Sequence, residues 1–361
     1  MADINKTGCG GFALGIPLLM AGFILLVWNE YNHVHTRRLL IEANDALVEV
    51  ADTTRINPDN DRKLIFMKAT AHEGKPVFDP LYNIGGNYLA VQRKVEYLQW
   101  HEEAHTRKYT DSDGDKQTKT YYTYSLKWTD KPIDTGHFKS KQGHDNTVCT
   151  TITSKTYYSK GTRFGPYLLE HSLIDSVPDI AATDDMIDMT STAMRAALDS
   201  TTRHGAISCI KKPGGILYYS ASSMLKDQPR WYQAGDVRVT FTVRSACFAW
   251  AMAQPNGKVL QPFRSKEGYW ITFRRFSAKP INPQEELEAE QSGNNALCWS
   301  LRVVGWLMVV GGINMLFGFL FGLLRYIPLL GWMFSTLGNV AAWVLGTLLS
   351  LLVIATAWLL L

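Results

Sequence analysis

Residues 11–28, with the sequence GFALGIPLLMAGFILLVW, are apolar or small and carry no charge. An α-helix needs about 17 to 25 such residues to cross the hydrocarbon layer of a membrane, so this stretch is long enough. It leads directly into Trp28-Asn29-Glu30-Tyr31, without the small-residue cleavage site that follows a signal peptide. The stretch therefore predicts an uncleaved transmembrane helix at 11–28, preceded by a short N-terminal tail at 1–10.

The C-terminal part of the chain predicts two further membrane segments. Beyond Glu290, the last acidic residue, only two arginines carry charge. We expect one transmembrane helix at 296–324 and another at 339–361. Between them, residues 325–338 are apolar but too short to cross a bilayer at about 1.5 Å per residue. An interfacial or re-entrant segment fits these residues best.

Charge is concentrated in the middle of the chain. The 361 residues include 37 Lys and Arg against 33 Asp and Glu, and nearly all of them lie in the hydrophilic region 29–295. The hydrophobic ends exclude a purely soluble protein. Near-neutrality argues against a nucleic-acid partner, because phosphate binding needs a strongly basic surface. The predicted fold class is α+β, with a β-rich extramembrane domain between one N-terminal and two C-terminal transmembrane helices.

Small residues recur four apart in the predicted spans, and this spacing favours close helix packing in lipid. The alternative is that glycine is simply common in membrane helices. Asn314 lies in the middle of the second span, where an amide needs a hydrogen-bond partner, so we expect it to face another helix. The predicted helix-packing interface consists of Gly11, Gly15, Asn314, Gly318, Gly322, Ala342 and Gly346.

The hydrophilic region is rich in β-strand signals. The runs Leu89–Trp100 and Thr118–Trp128 flank an Asp/Gly cluster and predict a long β-hairpin. Apolar residues at helical spacing predict that the first span continues as an amphipathic helix over Val34–Val50. A helix is also predicted over Asp184–Asp199, and a hinge over Ser292–Asn295 leads into the second span.

The sharpest catalytic pattern is His101-Glu102-Glu103-Ala104-His105, a literal H-E-x-x-H. On a helix this spacing places two histidines on one face to bind zinc, with the glutamate beside the metal-bound water. Here the pattern lies in a predicted hairpin, where residues four apart are separated by about 13 Å. We therefore favour a solvated strand edge over a zinc site formed by His101, Glu102 and His105.

Other chemical motifs are lacking in the sequence. Asp111, Asp113 and Asp115 do not match a calcium loop, because the glycine and the closing glutamate are misplaced. We identify no phosphate-binding loop, no nucleophile elbow, no cofactor site and no small-molecule substrate. The three cysteines of the domain, whose spacing matches neither a zinc site nor a disulfide framework, are Cys149, Cys209 and Cys247.

An ordered set of short motifs resembles the transmembrane protein 43 (LUMA) family. These motifs are Asp79-Pro80, Arg93-Lys94-Val95-Glu96-Tyr97-Leu98-Gln99-Trp100, Tyr122-x-Tyr124, Gly143-His144-x-Asn146, Gly235-Asp236-Val237-Arg238-Val239-Thr240-Phe241, Pro262-Phe263 and Trp299-Ser300-Leu301-Arg302 with Gly312-Ile313-Asn314. The resemblance covers nearly the whole chain. It departs from the family pattern at the C-terminus, where a fourth span is not apparent, and H-E-x-x-H does not resemble a family feature.

The resemblance implies a non-enzymatic organiser of the endoplasmic reticulum or inner nuclear membrane that self-associates. The leading hypothesis is a scaffold whose partners are other integral membrane proteins and lipid. An alternative is an accessory subunit of a large complex, for example in the mitochondrial inner membrane. A rival from another class is a membrane-anchored zinc hydrolase.

Overall fold

The computed structural model describes residues 8–110, 116–150, 152–192, 194–196, 208–220, 232–273, 280–324 and 331–360. Its α-helices include α1 (Gly8–Asp45), α2 (His171–Ile174), α3 (Pro283–Leu324) and α4 (Gly331–Leu360). Short 3-10 helices cover Pro58–Asn60, Thr135–His137 and Asp184–Met186. Three helices, namely α1, α3 and α4, are long and apolar enough to cross a membrane. The chain is therefore an integral membrane protein.

The membrane helices are longer than the predicted spans. The hinge predicted at Ser292–Asn295 is wrong, because α3 runs without interruption from Pro283 to Leu324. The Asn294 side chain bonds to α1 there, and a single Gly293 costs a helix only about 1 kcal/mol. Of the segment predicted as interfacial, residues 325–330 lie outside the described residues and 331–338 begin α4.

Between α1 and α3 lies a mixed α+β region with two large sheets. The strands are β1 (Leu47–Val50), β2 (Leu64–His72), β3 (Val77–Asp79), β4 (Ile84–Gly86), β5 (Ala90–Thr110), β6 (Lys116–Thr129), β7 (Lys155–Tyr158), β8 (Arg163–Phe164), β9 (Tyr167–Leu169), β10 (Ile180–Ala181), β11 (Ser208–Lys212), β12 (Ile216–Ser220), β13 (Val237–Arg244), β14 (Cys247–Asn256), β15 (Val259–Gln261), β16 (Phe263–Arg264) and β17 (Trp270–Ile271).

The first sheet has the order β1-β2-β14-β15-β9-β8, and an additional pairing of β2 with β8 closes it on itself. The predicted amphipathic helix over Val34–Val50 ends at Asp45, because Leu47–Val50 pairs in parallel with β2 instead. Alternate residues of β2 and β14 point into one core with α2, which includes Ile65, Met67 and Ala251.

The second sheet has the order β11-β12-β13-β5-β6, with β7 and β10 added at its sides. The predicted long hairpin is confirmed, since β5 and β6 pair continuously from Tyr97 opposite Thr129 to Thr110 opposite Lys116. The turn between the two strands lies outside the described residues. Gly235 precedes β13 with a φ of 91°, and a Cβ there would lie 2.3 Å from the Thr147 carbonyl oxygen. This close approach requires glycine.

The helix predicted over Asp184–Asp199 is largely absent from the described part of that range. Asp184–Met186 forms a 3-10 turn, Ile187 is extended, and helical residues follow only at 192 and 194–196. The Asp188 carboxylate accepts hydrogen bonds from the amide and hydroxyl of Thr190, which stabilises a turn in place of a helix.

The first sheet rests on the extramembrane ends of the long helices. Leu39, Leu40 and Ala43 of α1 and Leu287 of α3 share one core with side chains of β2, β14 and the β16–β17 hairpin. Burial of this apolar surface joins the hydrophilic domain to the helices that enter the membrane.

Candidate functional site

A buried ion pair joins α1 and α3 where the apolar stretch of α1 ends. The Arg302 guanidinium donates from Nε to Glu30 Oε1 and from Nη2 to Glu30 Oε2, both at 2.7 Å. The side chain of Glu30 is 0% exposed and that of Arg302 is 13% exposed. Such a two-bond pair has fixed geometry as well as opposite charge, so it sets how the two helices face each other.

The third membrane helix completes this pair. Trp358, near the end of α4, donates from Nε1 to Glu30 Oε2 at 2.7 Å. The Arg302 guanidinium carbon also lies 4.7 Å from the centre of the Trp299 ring and 5.9 Å from that of Trp358. All three membrane helices therefore meet at one polar junction, which we define as Glu30, Arg302 and Trp358.

Two amides next to the junction also join α1 to α3. Asn29 Nδ2 donates to the carbonyl oxygen of Cys298 at 3.1 Å, and Asn294 Nδ2 donates to that of His33 at 3.2 Å. Both asparagines are buried. Each bond links α1 to α3, so the two helices remain fastened beyond the apolar layer.

Toward the other membrane face, glycines bring α1 and α3 into backbone contact. A Cβ on Gly312 would lie 2.9 Å from the Gly15 carbonyl oxygen, and one on Gly22 would lie 3.1 Å from that of Gly305. Seven residues further along each helix, Asn29 of α1 contacts Cys298 of α3. The contacts therefore repeat every seven residues on both helices. A seven-residue repeat is typical of a left-handed antiparallel helix pair. We call these four glycines the glycine seam.

Helix α4 packs into the groove between the other two. Ala342 is 0% exposed and belongs to a cluster with Leu26, Val309 and Ile313. A Cβ on Gly346 would lie 2.9 Å from Val310 Cα. Trp306 Nε1 donates to Thr347 Oγ1 at 3.0 Å, which adds a polar contact between α3 and α4.

The seven predicted packing residues occupy different environments. Gly15, Ala342 and Gly346 lie at contacts within this chain. Gly318 is exposed, and among the described residues no atom lies within 4 Å of the place of a Cβ. Asn314 is half-buried. The surroundings of Gly11 and Gly322 lie outside the described side chains.

The H-E-x-x-H sequence lies in β5, paired with β6. Its side chains point to both faces of the ribbon. On one face the Glu103 carboxylate lies 3.7 Å from His101 and 4.0 Å from His105, and it pairs with Lys127. On the other face the Glu102 carboxylate accepts hydrogen bonds from the Tyr124 hydroxyl and the Lys139 amide. In the described part of the chain, no three His, Cys, Asp or Glu side chains are grouped to hold a metal ion.

The cysteines of the domain are thiols shielded by burial. Cys149, Cys209 and Cys247 are free cysteines in the structure. Burial raises the pKa of Cys149 and of Cys209 to about 12. Because the thiolate is the reactive form, these groups are poor nucleophiles at neutral pH.

Comparison with known proteins is decisive at the level of the family. The family model described as Transmembrane protein 43 matches residues 97–361, well over half of the chain and including Arg302 and Trp358. The chain belongs to the transmembrane protein 43 family. No solved structure matches the chain.

Curated members of the transmembrane protein 43 family align with almost the whole chain. Transmembrane protein 43 of Rattus norvegicus is 25% identical over 97% of this chain and 84% of its own length. The protein of the same name from Homo sapiens is 24% identical over the same shares. The transmembrane protein 43 homolog of Drosophila melanogaster is 24% identical over 83% of this chain and 74% of its own length.

Sequence reasoning missed the polar junction and three of the four glycines of the glycine seam. Glu30 and Arg302 each flank an apolar stretch, and opposite charges at the same end of two antiparallel spans could have been paired. Gly22, Gly305 and Gly312 were missed because the predicted interface was based on small residues four apart in sequence, whereas the glycines of the seam are seven apart on each helix. The contribution of Trp358 depends on α4 packing, which no local pattern indicates.

Proposed function

We propose that this chain is a non-enzymatic membrane scaffold that organises other integral membrane proteins through contacts within the bilayer. Membership of the transmembrane protein 43 family and three membrane-spanning helices support the membrane part of this proposal. None of the relatives described above is named for an enzymatic activity, which supports the non-enzymatic part. By family resemblance the membrane is the endoplasmic reticulum or inner nuclear membrane, with the mitochondrial inner membrane as the alternative.

One observation carries the proposal: a face of α3 on which the described residues of this chain leave Gly318 exposed, with open space where a Cβ would lie. Asn314 and Gly318 are four residues apart and therefore share a helix face. Met315, which adjoins this face, is 40% exposed. An amide in the apolar layer is costly without a hydrogen-bond partner, and glycine permits close approach of a second backbone. We call Asn314 and Gly318 the open face.

The polar junction and the glycine seam have a supporting role in this proposal. Together they hold α1, α3 and α4 in one bundle, so that the open face is presented as a preformed surface. A preformed surface loses less conformational entropy on association than a flexible one. The hydrophilic domain, fixed to the ends of α1 and α3, offers a second surface for partners.

Gly318→Leu tests the open face. A leucine there would keep a partner helix from approaching closely, so we expect the complex to shrink toward the mass of a single chain. The measurement is the mass of the full-length protein, solubilised in mild detergent, by native electrophoresis and light scattering. Ala355→Leu is the matched control, since it adds bulk at an exposed small residue of α4.

The outcomes separate the scaffold from its alternatives. The proposal is supported if wild type and Ala355→Leu both have a mass well above that of one chain and Gly318→Leu has a mass close to that of one chain. A wild-type protein that migrates as one chain would overturn it. Wild type found only in one complex of fixed composition would instead favour the accessory subunit.

A further inference from the structure

The β16–β17 hairpin runs along α1 toward the membrane surface. At its outer end the Lys266 amide donates to Glu42 Oε1 at 3.0 Å. Further along, Glu267 lies 3.5 Å from His35, and the Tyr269 hydroxyl lies 2.7 Å from that of Tyr31. Tyr31 directly follows Glu30 of the polar junction, so Tyr269 lies at the level where the apolar layer ends.

Trp270, the residue after Tyr269, lines a cavity. Trp270 is 64% exposed. The cavity has a volume of about 940 Å³, and Ile271 and Thr272 line it together with Trp270. The other lining residues are Ser172, Asp175 and Ser176, in or next to α2, and Glu290 of α3. Glu290 lies one helical turn beyond Asn294, which bonds to α1 opposite His33. The cavity therefore lies beside the ends of α1 and α3, beyond their apolar stretches.

The described lining residues favour a cation with an apolar surface. Two carboxylates, Asp175 and Glu290, and the exposed indole ring of Trp270 line the cavity, and none of its described lining residues is a Lys or an Arg. Asp175 is already paired with Arg244 at 2.7 Å, which leaves Glu290 as the carboxylate without a described ion pair. An indole face beside a carboxylate is the arrangement that binds quaternary ammonium groups.

One further group of this cavity lacks a partner within the chain. The Ser172 hydroxyl oxygen is buried and has no hydrogen-bond partner among the described residues. A buried hydroxyl without a partner is costly, and a bound phosphate ester or its water shell would satisfy it. The cavity thus offers an ammonium site and, beside it, a donor for a polar oxygen.

We propose that this cavity binds the choline headgroup of a membrane phospholipid. The Trp270 ring and the Glu290 carboxylate contact the quaternary ammonium, and the Ser172 hydroxyl donates toward the phosphate. A lipid is favoured over free choline because the cavity lies beside the extramembrane ends of two membrane helices. This site is independent of the open face of α3 and adds a lipid partner to the scaffold.

Lipid competition on the full-length chain tests this site. The protein is purified in detergent with equal amounts of phosphatidylcholine and phosphatidylglycerol of identical acyl chains, and bound lipid is counted by native mass spectrometry. We expect wild type to retain phosphatidylcholine about tenfold over phosphatidylglycerol, since a desolvated cation–π contact plus a carboxylate supplies roughly that preference. Trp270→Ala and Glu290→Gln should each abolish most of it.

Controls keep the result specific to the cavity. Glu288→Gln removes an exposed carboxylate of the same helix that does not line the cavity, so it should keep the preference. Trp270→Phe should keep part of it, because a phenyl face still attracts a cation. Equal retention of both lipids by wild type would overturn the proposal, as would an unchanged preference in Trp270→Ala. Soluble phosphocholine that binds as tightly as the lipid would overturn the lipid as occupant.

Discussion

At the scale of single residues, the Glu30–Arg302 pair determines how the membrane helices are held together. Removing a carboxylate or a guanidinium from water is costly, and the loss is recovered only when the partner is present with good geometry. Glu30 receives two bonds from Arg302 and one from Trp358, so its charge is fully compensated. The pair is therefore sensitive to loss of one member and tolerant of loss of both.

Arg302→Met should destabilise the chain by about 3 kcal/mol or more, because it leaves a buried carboxylate without a counter-charge. In the double variant Glu30→Gln/Arg302→Met no charge is left, and the glutamine oxygen still accepts from Trp358. We expect thermal unfolding in detergent to show a lower Tm for Arg302→Met and recovery in the double variant. A double variant less stable than Arg302→Met would show that the pair does not act as a unit.

At the scale of elements, a cross-strand ion pair stabilises the second sheet in a pH-dependent way. Arg238 of β13 lies opposite Glu96 of β5, donates to it at 2.7 Å and stacks on Trp128. The hydrogen bond from Arg238 holds the pKa of Glu96 below its ordinary value, and Lys94 adds to this effect. A lowered folded-state pKa contributes stability that is present above the unfolded pKa and is lost as the pH falls through the folded one.

Glu96→Gln should therefore lower the stability of the domain by about 1 kcal/mol at pH 7. The difference from wild type should begin to shrink as the pH falls to the ordinary glutamate pKa of about 4.3, and it should vanish only below the lowered folded-state pKa, where the wild-type carboxyl is protonated as well. The measurement is the Tm of both proteins across this pH range. Glu49→Gln, at an exposed carboxylate of β1, should show no such pH-dependent difference. A Glu96→Gln deficit that persists undiminished at pH 3 would contradict the assignment.

The α1–α3 helix pair makes a second prediction at this scale. A side chain at Gly312 would meet backbone atoms of Gly15 and Leu19, both 2.9 Å from its Cβ, and these cannot rotate away. Gly312→Leu should therefore separate the helices and cost about 1–3 kcal/mol or more, seen as a lower Tm in detergent. Gly318→Leu should leave the Tm of the single chain unchanged, because that site is open. Equal Tm losses in the two variants would contradict the division between seam and open face.

At the scale of the whole molecule, the sequence predicted the architecture but not its long-range contacts. The three spans and the β5–β6 hairpin were predictable because apolar length and strand alternation are local properties. The hinge before α3 was predicted wrongly, and the helix predicted over Asp184–Asp199 is largely absent from the described part of that range. In both, contacts with distant or neighbouring side chains outweighed the local signal, as Asn294 and Asp188 show. The polar junction was missed since it joins residues more than 270 positions apart.

The open face of α3 is the central claim about function, and cross-linking in intact membranes tests it most directly. A photo-cross-linking amino acid is placed at position 318 and, as a control, at Leu14, which is 66% exposed in the apolar stretch of α1. We predict discrete adducts with integral membrane proteins, or with a second copy of this chain, at position 318, and only lipid adducts at position 14. Lipid adducts alone at position 318 would contradict the account.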